Sequence, residues 1–276
     1  MEFAKKSNIW IAIYLFLSIP FSIAATQYQS WLGNYLEFEA RLEGEYQHFA
    51  NLAIETNKKK YRSDNFFLNL SLSNAVAYNF ALELELASAH TKFQKGTIDH
   101  LKVTGRYIWL DDIVGDALSL STGISLIHPF TKSLNDISVI NHGRAEAEFF
   151  CSIGKEKALE TIWIQRWYGV AGIGLANEGS PWIRCDLVYE SRWHEAHELR
   201  GFIHALCGLG AKSLQPNHFH GYGSIQHESL DVGIRYTYLI PYFGNISLQY
   251  SYRIYARNAP ANVQALLAQC LYVFGL

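Results

Sequence analysis

The chain has 276 residues, enough for one large domain or two small ones, and a formal net charge of −2. Hydrophobic residues make up 49% of the chain, aromatic residues 14% and charged residues 17%, a low charged fraction for a soluble domain. Since no global basic field exists, the composition argues against a nucleic-acid partner.

The first segment of the chain has the order of residues found in a targeting sequence. Two lysines precede an apolar run at residues 9–23, and Ser22 and Ala24 provide small residues at a possible cleavage site. This order is typical of a secretory signal peptide, with an uncleaved membrane anchor as the alternative. We therefore expect a signal peptide at 1–24 and one folded domain at 25–276.

The clearest pattern follows at residues 35–54. Apolar residues occupy one parity, and five charged residues occupy the other: Glu37, Glu39, Arg41, Glu43 and Glu45. A β-strand sends alternate side chains to opposite faces, so this segment has one apolar face and one charged face. One face requires hydrocarbon and the other requires water or counter-charges. The wall of a transmembrane β-barrel meets both requirements.

Eleven further segments with strand-like composition follow, although the parity of the seventh is ambiguous. They begin near Phe66, Phe80, Ile98, Leu118, Ala145, Thr161, Ile183, Leu199, Val232, Ile246 and Val263. Polar residues predict a surface loop at 55–65, a short turn at 154–160 and long loops at 128–143 and 210–228. Links after even-numbered strands are short, and those after strands one, five and nine are long. No later segment offers the roughly twenty apolar residues of a membrane helix.

The parity, the even strand number, the alternating link lengths and the signal peptide together resemble bacterial outer-membrane β-barrel proteins. The resemblance covers residues 35–276. It implies an all-β fold, a single antiparallel transmembrane barrel of about 12 strands in the bacterial outer membrane. It also implies a lipid bilayer as partner and the barrel-assembly machinery during biogenesis. Cys270, Tyr272 and Phe274 keep the terminal parity, but the chain ends in Leu276 instead of an aromatic residue.

The charged parity of the strands is expected to face the lumen. The candidates are Glu37, Glu39, Arg41, Glu43, Glu45, Glu83, Glu85, Lys102, Arg106, Arg144, Glu146, Glu148, Arg184, Asp186, Glu190, Arg235 and Arg253. Buried charges persist only when they are paired or hydrated. The set predicts a narrow, porin-like channel that passes or binds small polar solutes. The alternative is an ion-pair network across the lumen of a plugged structural or adhesive barrel.

Histidines collect in the predicted outer loops, namely His128, His142, His218, His220 and His227. The two-residue spacing of His218 and His220 could hold zinc if a third ligand were near, but loop histidines are usually only solvated, and this is the preferred interpretation. Neither a metal nor a cofactor is predicted.

An outer-membrane hydrolase is the second alternative, because Ser229, His227 and Asp231 lie near one strand end. No nucleophile-elbow motif supports it, so no catalytic residue is assigned. The four cysteines each fall within a predicted strand and outside metal-ligand spacing, and their spacing leaves disulfides open.

Overall fold

The computed structural model describes residues 28–159 and 162–275, so the predicted signal peptide lies outside the described part. The strands are β1 (Glu37–Ile54), β2 (Asn57–Ala77), β3 (Phe80–His90), β4 (Lys95–Leu110), β5 (Ser119–Pro129), β6 (Glu146–Leu159), β7 (Ile162–Ala176), β8 (Trp182–Trp193), β9 (His197–Gly208), β10 (Glu228–Ile240), β11 (Gly244–Arg257), β12 (Ala259–Ala261) and β13 (Gln264–Gly275). Within those two ranges, one short helix, α1 (Thr131–Leu134), and one 3₁₀ turn (Pro216–His218) lie in the loops.

Twelve of these strands close into one antiparallel barrel. Strands β1 to β11 pair in chain order, β11 pairs with β13, and β13 returns to β1. The three-residue β12 pairs separately with the end of β1. The predicted all-β single barrel of about twelve strands is confirmed.

The two-residue alternation organises the wall. Leu84 and Leu248 are 50% and 54% exposed on the outer surface, whereas Glu83 and Glu85 are 5% and 2% exposed. Large apolar side chains continue around the outer surface. Such a surface is unfavourable in water and favourable in hydrocarbon, so the barrel is built for a lipid bilayer.

Within the described residues, no helix has both the length and the apolar character needed to cross a membrane.

The two ends of the barrel differ. Glu37 and Gly275, which begin and end the barrel wall, are paired at one end, here called the proximal end. The opposite, distal end carries the long loops at residues 130–145 and 209–227. The long links predicted after the fifth and ninth strands are therefore present.

The loop predicted at residues 55–65 is wrong. Strand β2 already begins at Asn57, which is paired with Ile54, so only Glu55 and Thr56 make the turn. The hairpin extends the wall beyond the apolar band. Both faces of a strand in that position can meet water, so the apolar alternation that reveals the other strands is missing.

The turn predicted at residues 154–160 is wrong for the same reason, because β6 continues to Leu159 at the proximal end. His128 also lies in a strand and not in a loop, since it is paired with Leu101 between β5 and β4.

Candidate functional site

The proximal half of the lumen is occupied by residues 28–31, here called the N-terminal segment. Tyr28 and Trp31 are each 4% exposed and Ser30 is fully buried. The rings of Tyr28 and Trp31 pack with Phe150, Tyr168 and inward-facing aliphatic side chains of the wall. Large aromatic side chains bury much apolar area and hold such a segment firmly.

Side-chain hydrogen bonds join the segment to the wall at three heights. Trp31 Nε1 donates to Asp112 Oδ1 at 2.8 Å near the proximal rim. The Ser30 and Ser152 hydroxyl oxygens are 2.8 Å apart, and those of Tyr28 and Ser125 are 3.4 Å apart. The segment therefore enters from the proximal end and reaches the middle of the barrel.

Lumenal cations also hold this segment. Arg106 Nη1 donates to the backbone carbonyls of Gln29 and Trp31, at 3.3 Å each. The Arg184 guanidinium lies 4.6 Å from the centre of the Tyr28 ring, and Lys102 Nζ lies 5.4 Å from it. Cation–π contacts of this kind strengthen when they are desolvated.

The anchor of Trp31 is an ionised carboxylate. Burial alone would raise the pKa of Asp112, but hydrogen bonds from Ser119, the backbone N–H of Glu156 and Trp31 lower it overall. Hydrogen bonds to the charged form have this effect. Asp112 therefore holds Trp31 with a charge-assisted bond throughout the neutral and mildly acidic range.

The distal mouth is covered by the two long loops, which we call the cap. Ile137 from the first loop and Leu214, Phe219 and Tyr222 from the second pack on inward residues of β1 in one buried cluster. The Tyr222 hydroxyl donates to the backbone carbonyl of Ile137 at 2.8 Å. Apolar packing and this buried hydrogen bond join the two loops to each other and to the wall.

Two buried histidines lie between the cap loops. His142 Nε2 and His227 Nε2 are 3.3 Å apart, and His227 Nδ1 lies 3.1 Å from the Ile225 carbonyl. A carbonyl only accepts, so the proton of neutral His227 is on Nδ1 and its Nε2 must accept from His142. The His142 ring stacks on Trp182 at 3.7 Å. A Cβ on Gly208 would overlap the His227 ring, so glycine makes room for this contact.

Between the N-terminal segment and the cap lies a cavity of about 380 Å³. Tyr28 forms part of its proximal floor and His142 part of its distal roof, while Glu148, Arg184 and Arg235 are among the charged groups on its wall. This is a chamber of both charge signs, large enough for a small polar solute.

Among the described residues, the ion pairs in the lumen run along the wall and not across it. Arg253 donates to Asp231 through Nε at 2.6 Å and Nη2 at 2.8 Å, between the paired strands β11 and β10. Other pairs likewise join residues of the same strand or of strands one or two places apart, among them Arg41 with Glu39, Glu43 and Glu83; Lys102 with Glu85; His100 with Glu85 and Asp99; Arg184 with Glu148; Arg200 with Glu190; and His204 with Asp186. The bore is narrowed by the N-terminal segment and the cap, not by bridging side chains.

The remaining candidates have other partners. Arg235 donates to the side-chain oxygens of Gln249 and Gln269, at 2.8 Å each. Glu146 accepts from the backbone N–H groups of His142 and Gly143 and so fixes the end of the first cap loop where it meets β6.

Two candidates near the strand ends lie apart from this buried set. Glu37 accepts from Asn34 at 2.6 Å in an exposed position at the proximal rim. Arg144 is exposed and precedes β6, so the expected lumenal position does not describe it.

Ser229, His227 and Asp231 do not form the catalytic triad that the hydrolase alternative requires. Both ring nitrogens of His227 contact His142 or Ile225, and the Asp231 carboxylate is engaged by Arg253. His218 and His220 are exposed, and in the described ranges no three His, Cys, Asp or Glu side chains are grouped for a metal. The four cysteines are free.

No family model matches the sequence, and no curated protein matches it. Solved structures do. An outer membrane channel from Pseudomonas putida F1 aligns with a TM-score of 0.67 at 9% identity, over 92% of this chain and 100% of that chain. The NanC porin aligns with a TM-score of 0.56 at 9% identity, over 86% of this chain and 100% of that one. The KdgM porin aligns at 0.51 and 8% identity, over 85% and 99%. At these identities the likeness shows the fold, which is that of outer-membrane channel and porin barrels.

The sequence reasoning missed Tyr28, Ser30 and Trp31, which close the proximal half of the lumen. The available signal was a pair of aromatic residues placed between the predicted cleavage site and the first strand. Such a pair is out of place in a solvated leader.

Proposed function

We propose that this protein is an outer-membrane channel for small polar solutes, and that the conformation described here is its closed state. The observation that carries the proposal is the charged chamber of about 380 Å³ inside the barrel. A purely structural barrel of this size could fill its interior with side chains. Here a short segment and two loops close the bore instead, and none of the three belongs to the paired strands of the wall.

The same proposal fixes the orientation of the barrel in the outer membrane. Outer-membrane barrels with an even strand number hold both chain ends on the periplasmic side, so the proximal end would face the periplasm and the cap the exterior. Export by the predicted signal peptide and insertion by the barrel-assembly machinery are part of this proposal.

The lumenal charges would line the solute path. Arg184, Arg235 and Arg253 are among the basic groups on the chamber wall, and Glu45 and Glu148 are among the acidic ones. A path with fixed charges of both signs in a narrow bore favours polar solutes over apolar ones. The similar solved structures are an outer membrane channel and two porins, which agrees with this function.

A permanently plugged structural or adhesive barrel is the second candidate, and the N-terminal segment is the observation that favours it. Its aromatic packing and its three side-chain hydrogen bonds are extensive for so short a segment.

Planar-bilayer recording of the folded protein tests the two candidates. We expect small, discrete openings separated by long closures, since a barrel of about twelve strands is well below the 16–18 strands of open porins. The control is protein that was placed in the same detergent but did not fold. It is recognised in gel electrophoresis because heating does not change its mobility. Complete silence of the folded protein would favour the plugged barrel, and a large, steady conductance would contradict the closed state.

A further inference from the structure

One arginine of the chamber has no carboxylate partner. Arg235 lies on the inner face of β10 and is 5% exposed. Its Nε donates to Gln249 and its Nη1 to Gln269, at 2.8 Å each, so both partners are neutral amide oxygens. Among residues 28–159 and 162–275, no carboxylate oxygen lies within 4.0 Å of its guanidinium nitrogens. Arg235 therefore keeps an uncompensated positive charge inside the barrel.

The other strongly basic side chains of the chamber are neutralised by acids of the wall. These pairs are Lys102 with Glu85, Arg184 with Glu148, Arg200 with Glu190, and Arg253 with Asp231. A buried charge is costly unless it is paired. The described wall meets this requirement for its other chamber cations and leaves Arg235 as the exception.

The strand register adds a like charge next to Arg235. Arg235 is paired directly with Arg200 across β10 and β9. Like charges placed directly opposite each other destabilise a sheet. Glu190, which accepts from Arg200 Nε at 2.6 Å, is on β8, one strand farther from Arg235. An anion bound at Arg235 would offset the repulsion between the two arginines.

The remaining N–H groups of Arg235 suit an oxyanion. A guanidinium carries five N–H donors, and the two glutamines accept from two of them. The other three can form the paired N–H···O bonds with which arginine binds a carboxylate or a phosphate. One guanidinium balances one negative charge. A carboxylate matches that charge, whereas a phosphate monoester carries nearly two at neutral pH.

An aromatic ring lies beside this cation. Gly233 precedes Arg235 by two residues on β10, so the two residues share the inner face. The Phe202 ring also lines the chamber and covers Gly233, since a Cβ on this glycine would overlap the ring. Apolar surface next to a charged group is the usual composition of a site for a small organic ligand.

From these contacts we propose that the chamber binds a small organic acid through one carboxylate group held by Arg235, with the apolar part of the acid against Phe202. The proposal rests on the proposed function, because it takes the chamber as part of the solute path. It names the solute class as monocarboxylates. The carboxylates that also line the chamber would repel a second negative charge on the solute.

Saturation-transfer NMR of the full folded protein in detergent tests the proposal, with butyrate as the probe. This measurement reports binding at equilibrium and needs no membrane. Arg235→Gln should weaken butyrate binding about tenfold or more, because hydrogen bonds from a charged group are lost. Arg235→Lys keeps the charge but not the planar fork and should retain part of the affinity. The matched control is Arg62→Gln, which removes an exposed arginine outside the lumen and should bind as the parent does.

Equal butyrate binding by the parent and Arg235→Gln, both shown to be folded by a change of gel mobility on heating, would overturn the proposal. Displacement of butyrate by butyramide at matched concentration would show that the carboxylate is not recognised and would also overturn it. Tighter binding of inorganic phosphate than of butyrate would contradict the assignment to monocarboxylates.

The binding data and the bilayer recordings fail independently. Butyrate binding that depends on Arg235, in a protein that is silent in planar bilayers, would contradict the channel and support the site. Discrete openings together with butyrate binding that does not depend on Arg235 would contradict the site and support the channel.

Discussion

Replacing Trp31 with alanine should convert rare openings into frequent ones. The side chain is 4% exposed, and its Nε1 donates to Asp112 at 2.8 Å. Truncating a buried tryptophan costs about 3–5 kcal/mol, and here that cost falls on the seating of the segment and spares the paired wall. A loss of that size corresponds to a shift of more than about a hundredfold toward the displaced segment. Open probability in planar bilayers measures it.

Trp167→Ala is the matched control for this change. Trp167 is 50% exposed on the outer surface, and its removal leaves the lumen untouched. We expect this variant to gate like the parent. Parental open probability in Trp31→Ala, with the barrel folded, would show that the segment does not close the bore.

Acidification should open the channel at its distal end, where the cap closes the mouth. Burial, and then the neighbouring His142 ring, lowers the pKa of His227 from 6.5 to about 4. An opened cap would return His227 to its ordinary pKa, so between these values the open form binds more protons than the closed form. Linkage therefore favours the closed cap fully above pH 6.5, and this preference is lost as the pH falls toward 4. One pKa unit corresponds to about 1.4 kcal/mol.

Conductance recorded at steps between pH 7 and pH 4 measures this effect, with Asp112 still ionised because its pKa is below its ordinary value. His227→Gln should lose the acid dependence, since glutamine does not titrate. His218→Gln, a change at an exposed histidine in the same loop, should keep it. An identical acid response in both variants would contradict a role for His227.

The wall of the barrel could be predicted because its two faces meet different solvents. Leu84 faces outward and Glu85 faces inward, and this contrast requires apolar and polar residues to alternate with a two-residue period along the strand. Where the contrast ends, so does the period. The β1–β2 extension around Lys58 and Lys60 meets water on its outer side, so its sequence lacks the period and predicts a loop.

The closure of the lumen could not be predicted, because its contacts are remote in sequence. Ser30 meets Ser152 across 122 positions, and Tyr28 meets Ser125 across 97. Neither pair leaves a local pattern. The same holds for His142 and His227, which the sequence placed in separate loops and which the cap brings to 3.3 Å.

A reversible covalent lock between the N-terminal segment and the wall separates a gated channel from a plugged barrel. The Ser30 and Ser152 hydroxyl oxygens are 2.8 Å apart, so Ser30→Cys/Ser152→Cys places two thiols within reach of a disulfide. The four native cysteines are replaced by alanine in this variant and in its control. Bilayer conductance is then recorded from the same membrane before and after reduction. We expect silence in the oxidised protein and discrete openings after reduction, with no such change in the cysteine-free control. Openings of equal size and frequency in both redox states, with the disulfide verified by mass spectrometry, would contradict closure by the N-terminal segment.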